Sequence, residues 1–267
     1  LTLEIEGLNM KKFALALTAT AVFAGQAIAA DMPARVTKAP MAAPVAVANW
    51  TGCYVGGGIG YGMYNQESTQ YDPAVNPRVL LAPQQTLGGR GWFGTVQGGC
   101  DYQFGGNWVV GAFADYDFSD IHGQFGQIFT NRSGTEKLSS TWAVGGRIGW
   151  LVSPNLLTYF SGGYTESTFD RVNLANIGLV ADQYIPGQTY SGYFIGSGIE
   201  YAVGFMPGLY VKTEYRFSDF NGATITGRSI ATNAVIDEYD VHKYTHTVRT
   251  TLSYKFNFGG GAVVAKY

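Results

Sequence analysis

From Trp50 onward, apolar and polar side chains alternate with a period of two, and this pattern most narrows what the chain can fold into. Residues 246–258, HTVRTTLSYKFNF, show it clearly. Val248, Leu252, Tyr254, Phe256 and Phe258 share one parity; Thr247, Arg249, Thr251, Ser253, Lys255 and Asn257 share the other. That is the pattern of a β-strand with one oily face and one polar face. Eight stretches carry it, roughly 50–64, 90–104, 108–118, 139–152, 156–167, 189–203, 208–218 and 243–258. No segment of comparable length has a 3.6-residue period. The connections alternate in length: 65–89, 119–138, 168–188 and 219–242 are long, whereas 105–107 (GGN), 153–155 (SPN) and 204–207 are short. Short turns on one side and long loops on the other are the pattern of an up-and-down barrel in an outer membrane.

The face opposite the oily one decides where the oil points. Val55, Ile59, Tyr61 and Met63 oppose Gly56, Gly58 and Gly60; Trp92 and Val96 oppose Thr95 and Gln97; Ile195 and Ile199 oppose Gly196, Gly198 and Glu200. The stretch 156–167 is ambiguous. The second face collects Asp101, Asp115, Arg147, Glu200, Lys212, Glu214, Arg216 and Arg249, with glycines between them. Glycine on a solvated strand face is unfavourable. Inside a narrow eight-stranded barrel it makes room for long charged side chains, which must pair because they are buried. The expected fold is therefore all-β, an eight-stranded antiparallel up-and-down transmembrane β-barrel over residues 50–258, with those eight charges forming a network in the lumen. Trp50, Trp108 and Trp150 at the inner ends and Trp92 and Trp142 at the outer ends are expected to form the aromatic girdles. GGGIGY (56–61), GGRIGW (145–150) and GSGIEY (196–201) echo one another as hairpin pattern; none matches a phosphate-cradling G-x-G-x-x-G.

The ends give the route. Lys11 and Lys12 precede the apolar run 13–23 and the small residues AIAAD (27–31), so 10–30 reads as a secretory signal and the mature chain as about 237 residues. The apolar run is far shorter than the ~20 residues a spanning helix needs. Residues 1–9 read as a start-site artefact, 31–49 as an Ala/Pro-rich periplasmic leader, and 259–267 as a tail. Charged residues are 13% of the chain and the formal net charge is −2, so no basic face for nucleic acid is expected. Cys53 and Cys100 are equidistant from the centre of the first hairpin, which sets them up as cross-strand neighbours. A disulfide between them is the expectation, two apolar thiols the alternative. His122, His242 and His246 form no ligand cluster; Asp237, Glu238, Asp240 and His242 read as a solvated acidic loop rather than a metal site. No nucleophile stands beside a base in a known motif, so no catalysis, cofactor or metal is expected.

Several stretches carry a family resemblance: WTGCYVGG (50–57), NWVVGAFADYDFSD (107–120), YSGYFIGSGIEY (190–201), VKTEYRFSD (211–219) and HTVRTTLSYKF (246–256). They resemble the small outer-membrane β-barrel proteins of alphaproteobacteria, often called outer-membrane immunogenic or porin-family proteins. The resemblance implies an eight-stranded barrel akin to the OmpA transmembrane domain, displayed at the surface of a Gram-negative cell. The family commonly has Glu where Phe113 stands. On this reading the protein contributes to envelope structure and displays four long extracellular loops; the alternatives are a small porin and a soluble secreted β-barrel binding module. Expected partners are outer-membrane lipid, the periplasmic chaperone and barrel-assembly machinery and loop partners of unspecified kind, with the barrel a monomer exported through the general secretory pathway.

Overall fold

A computed structural model of the protein describes residues 48–127, 132–176 and 179–256. The expected artefact, signal and most of the leader (1–47), and residues 257–267 with Phe258 and the tail, lie outside the described residues. Eleven strands follow in order: β1 (Gly52–Asp72), β2 (Val79–Phe104), β3 (Trp108–Gln127), β4 (Arg132–Ser153), β5 (Leu156–Phe169), β6 (Val172–Asn176), β7 (Gln183–Ile185), β8 (Gln188–Ala202), β9 (Leu209–Phe220), β10 (Ala223–Ser229) and β11 (Val235–Phe256). Eight of them, β1-β2-β3-β4-β5-β8-β9-β11, pair in that order, and β11 pairs back to β1. Every pairing in the ring is antiparallel, and the closure of β11 on β1 leaves the ring no free edge.

The ring turns its oily face outward. Val55, Ile59, Trp92, Val96, Phe160, Ile195, Val248 and Leu252 are exposed. Alternating with them, Tyr54, Thr95, Asp115, Arg147, Glu200, Lys212, Arg249 and Ser253 are buried. Val55 to Met63 on β1 spans about 21 Å of membrane normal at a tilt of ~40°, close to the apolar band such barrels present. The interior is tight enough that two glycines are required by close approach. A Cβ on Gly60 would strike the Phe93 ring, and one on Gly198 would come within 2.5 Å of the Tyr159 hydroxyl. The ambiguous stretch 156–167 is β5, with Leu157, Tyr159, Ser161 and Thr165 inward and Phe160, Tyr164 and Glu166 outward. Its two faces are chemically mixed because Leu157 and Tyr159 belong to an apolar plug inside the barrel.

The long connections fall where expected, but most of their residues are strand rather than loop. β1 and β2 run 21 and 26 residues, about twice what a membrane crossing needs. Short breaks at 170–171, 186–187 and 221–222 let β5 continue as β6, β7 as β8, and β9 as β10. β6 pairs with β4 and β7, and β10 with β7 and β11. A second eight-stranded storey, β1-β2-β3-β4-β6-β7-β10-β11, therefore stands on the first. Its chemistry is inverted. Tyr239 and Val241 of β11 point inward, and Glu238, Asp240 and His242 point outward, so the segment expected as an acidic loop is strand. Inside, Tyr64, Phe93, Ile121, Phe125, Leu138, Phe169, Leu174, Tyr190, Phe220 and Ile225 form an apolar core. β1 and β11 keep one inward parity through both storeys, whereas β4 switches it at the irregularity between Leu138 and Ser140 and the breaks at 170–171, 186–187 and 221–222 switch it elsewhere; lipid lies outside the lower storey, water outside the upper.

Candidate functional site

Whatever the barrel does chemically depends on its lumen, because that is where the ionisable groups converge. β2, β4 and β8 place Asp101, Arg147 and Glu200 at one level. Arg147 bonds Asp101 bidentately, Nε to Oδ1 at 2.8 Å and Nη2 to Oδ2 at 2.5 Å, and its Nη1 donates to Glu200 Oε2 at 2.6 Å. Lys255 Nζ donates to Asp101 Oδ2 at 2.8 Å. One level outward, Arg216 bonds Asp115 bidentately at 3.0 and 2.8 Å and reaches Glu214 Oε1 at 2.9 Å. Arg249 holds both Asp117 oxygens at 3.1 and 3.0 Å and Asp115 Oδ1 at 3.2 Å. Tyr159 Oη donates to Glu214 Oε2 at 2.8 Å, and Lys212 Nζ donates to Gln97 Oε1. Asp101, Asp115, Asp117, Glu200 and Glu214 thus share this space with Arg147, Lys212, Arg216, Arg249 and Lys255, all buried. The acids and bases are equal in number, as a dry interior requires.

Apolar groups close the lumen on both sides of these charges. Below, Trp50, Val109, Leu151, Leu157 and Tyr210 form a plug. Trp50 is 0% exposed, packs edge-on against Tyr210 at 5.0 Å, and donates its indole N–H to the Pro154 carbonyl at 3.0 Å. Trp50 is therefore not part of the girdle. It shares the inward parity of Tyr54, and the barrel mouth is the one place that buries both its ring and its N–H. Trp92, Trp108, Trp142 and Trp150 do stand on the exterior, Trp108 against Trp150 at 4.8 Å and Trp142 donating to Glu166 at 3.1 Å. Among the charges, Phe113 packs against Phe194 at 6.0 Å, and the Arg216 guanidinium lies 4.2 Å above the Phe194 ring. Above, within the apolar core of the upper storey, Lys243 Nζ sits 3.8 Å over the Phe169 ring and donates to Glu136 Oε1 at 2.6 Å and to Gln66 Oε1.

The structure buries all eight expected lumen residues and bonds each to another polar group. Sequence reasoning omitted five more buried charged residues. Asp117 and Lys255 lay on the inward parity and were readable from it; Lys243 and Glu136 fell in or beside connections taken as loop, and Asp237, read as part of a solvated acidic loop, is buried and accepts a hydrogen bond from Gln70 Nε2 at 2.8 Å. Cys53 and Cys100 face each other across β1 and β2 and are bonded as a disulfide. Thiol titration of unreduced, denatured protein is accordingly expected to find no free thiol, and two after reduction; two before reduction would contradict the pairing. Outside the barrel, Arg78 clamps Asp240 at 3.1 and 2.9 Å and Glu238 at 3.2 Å. The Arg78 hydrogen bond holds the Asp240 carboxyl below its ordinary pKa.

A family model described as an outer membrane protein beta-barrel domain matches residues 15–256. The 31 kDa outer-membrane immunogenic proteins of Brucella melitensis biotype 1 and Brucella suis biovar 1 are each 30% identical over 254 residues, covering 92% of this chain and 100% of theirs. Among solved structures, the outer membrane protein OprG from Pseudomonas aeruginosa aligns with a TM-score of 0.47 at 12% identity, covering 78% of this chain and 99% of that one.

Proposed function

The chain belongs to the outer membrane protein beta-barrel domain family, and from that premise we propose that this outer-membrane surface barrel is a closed, non-conducting and non-catalytic structural element of the envelope. One observation carries the reading: the ionic lumen is bonded to itself and lies between the plug around Trp50 and the apolar core around Phe169. A porin needs inward charges that face water. Here the guanidinium groups of Arg147, Arg216 and Arg249 are each held by two carboxylates, with 1–3% of their side chains exposed. The same bonding leaves these acids and bases unavailable to a substrate. The barrel reaches the membrane through the general secretory pathway and the periplasmic chaperone and assembly machinery, works as a monomer in outer-membrane lipid, and offers its upper storey to partners outside the cell.

Refolding the chain from Asp31 into a planar lipid bilayer tests this. Folded protein is expected to give no current above the bare membrane. Stable, ohmic conductance steps would overturn the closed reading and make Arg147, Glu200, Glu214 and Arg249 pore-lining groups.

A further inference from the structure

The outer rim of the lipid-facing wall is electrically lopsided. Arg90 on β2 stands opposite His122 on β3, and His122 stands opposite Lys137 on β4; all three are on the outward parity of their strands. Opposed residues are about 5 Å apart, so three basic side chains fall within ~10 Å on one outer face. Asp120 stands beside them: Lys137 Nζ donates to its Oδ1 at 2.9 Å, and His122 Nε2 lies 3.6 Å from the same oxygen. Arg90 is exposed and forms no hydrogen bond or ion pair among the described residues. Beyond Lys137, Asp170 and Arg171 carry opposite charges. Elsewhere on the rim, β9, β11 and β1 turn Asp219, Glu238, Asp240 and Glu67 outward, and Arg78 is already clamped to two of these acids. An anion arriving at the rim is therefore drawn to β2 and β3.

Inward of these cations, the same strand pair carries an apolar track. Trp92 is the next outward-facing residue after Arg90, and the pairs Gly94↔Phe118, Val96↔Tyr116 and Gly98↔Ala114 follow toward the midplane. A trough of about 650 Å³ opens there, lined by Val55, Val96, Gly98, Ala114 and Tyr116. Nothing internal to the barrel requires its floor to be so small. A Cβ on Gly94 would meet nothing within 4 Å, and one on Gly98 only the Tyr54 carbonyl oxygen at 3.6 Å. Neither has a positive φ. Glycine weakens a strand, and within one it marks a place where another molecule or backbone comes close. From Trp92 to Gly98 is ~20 Å of strand, about 16 Å of membrane normal at a tilt of ~40°, or half of the ~30 Å hydrocarbon core. The track is one leaflet deep.

We propose that this track is a binding site for a phosphorylated lipid of the outer leaflet, with its phosphate on Arg90 and His122 and one acyl chain in the trough. The Arg90 guanidinium is a planar fork that holds two phosphate oxygens at once, and nothing in the chain competes for it. His122 adds a ring N–H, and Lys137 adds charge that Asp120 partly offsets. At the edge of the hydrocarbon a charge pair is less screened than in open water. A soluble anion gains the charge but leaves the trough empty; a zwitterionic lipid fills the trough but gains little from Arg90. The site lies on the outside of the wall, so it stands whether or not the lumen conducts.

The test uses the whole barrel refolded into phosphatidylcholine nanodiscs doped with phosphatidic acid that carries a diazirine near its chain end. Labelled peptides are mapped after irradiation and compared with those from the same photoprobe on phosphatidylcholine. The phosphatidic acid probe is expected to label 94–98 and 112–116 at least threefold more than the zwitterionic one, and unlabelled phosphatidic acid is expected to compete it away. Arg90→Gln is expected to abolish this preference and Arg90→Lys to keep part of it. Asp120→Asn, which frees Lys137, is expected to raise it, and Gly98→Leu, which fills the trough, to lower it. All four substitutions are on the outer wall, and each is expected to keep the heat-modifiable migration of the folded barrel. Four results would overturn the proposal. Even labelling of all eight strands by both probes would show ordinary surrounding lipid. Competition by glycerol 3-phosphate or heparin as strong as that by phosphatidic acid would show a site for soluble anions. A preference unchanged in Arg90→Gln would remove the headgroup contact. Migration of the embedded barrel as a dimer with 94–98 shielded from both probes would give the trough to a second copy of the chain.

Discussion

Replacing Arg147 by Ala is expected to lower the stability of the micelle-refolded barrel by about 3–5 kcal/mol. The magnitude follows from what is left behind. Arg147 holds Asp101 and Glu200 together across the lumen, with 1% of its side chain exposed. Asp101 keeps Lys255 at 2.8 Å, but Glu200 makes no other ion pair among the described residues. A carboxylate stranded inside the ring is more damaging than the loss of the pair itself. Converting Glu200 to Gln in the same molecule is therefore expected to restore part of the loss, and a double-mutant cycle followed by urea unfolding reads the coupling. A loss below ~1 kcal/mol for Arg147→Ala, the range of solvent-exposed pairs, would mean that water reaches Glu200. It would undercut the closed lumen together with the network.

Phe169→Ala is expected to loosen the upper storey while the membrane storey holds. Phe169 is 2% exposed, meets Tyr64 at 5.2 Å and Tyr190 at 5.6 Å, and carries the Lys243 ammonium on its face. Removing a buried ring of this kind costs about 3–5 kcal/mol through lost transfer energy and the cavity left behind. Here Lys243 also loses the π-face that shields it. Protease applied to intact cells should then cut β6, β7 and β10, which resist in the parent, while the heat-modifiable migration of the folded lower barrel persists. Unchanged protease resistance would show that the apolar core does not hold the upper walls together.

How legible each element was depended on how cleanly its two faces differ. β11 was readable because Val248, Leu252 and Tyr254 face lipid while Arg249, Thr251 and Ser253 face the lumen, with Thr250 the one polar residue on the lipid side between them. β5 was not, because Leu157 and Tyr159 on its inward face answer to the plug around Trp50. The outer halves of the strands were unreadable under a rule that apolar means outside. Tyr239 and Val241 keep the inward parity of β11, and Ile225 takes the opposite parity to β9 beyond the break at 221–222; all three serve a core with water beyond the wall, so their segments looked like loops. The charged lumen residues could be found one by one from parity. Their pairing could not, since Asp101, Arg147 and Glu200 sit on β2, β4 and β8, and closure of the ring is what brings them within reach.

Building the extracellular part from hydrogen-bonded walls has a thermodynamic consequence for recognition. A ligand that settles on a flexible loop must first freeze it, at about 1–2 kcal/mol for each backbone residue fixed. On this surface the freezing was completed when the chain folded. Whatever docks against the walls meets positions already set, and its affinity is diminished mainly by its own ordering. The corollary is low tolerance for mismatch: a rigid wall does not reshape itself around a poor fit, so selectivity here comes from shape held in advance rather than from adaptation on contact.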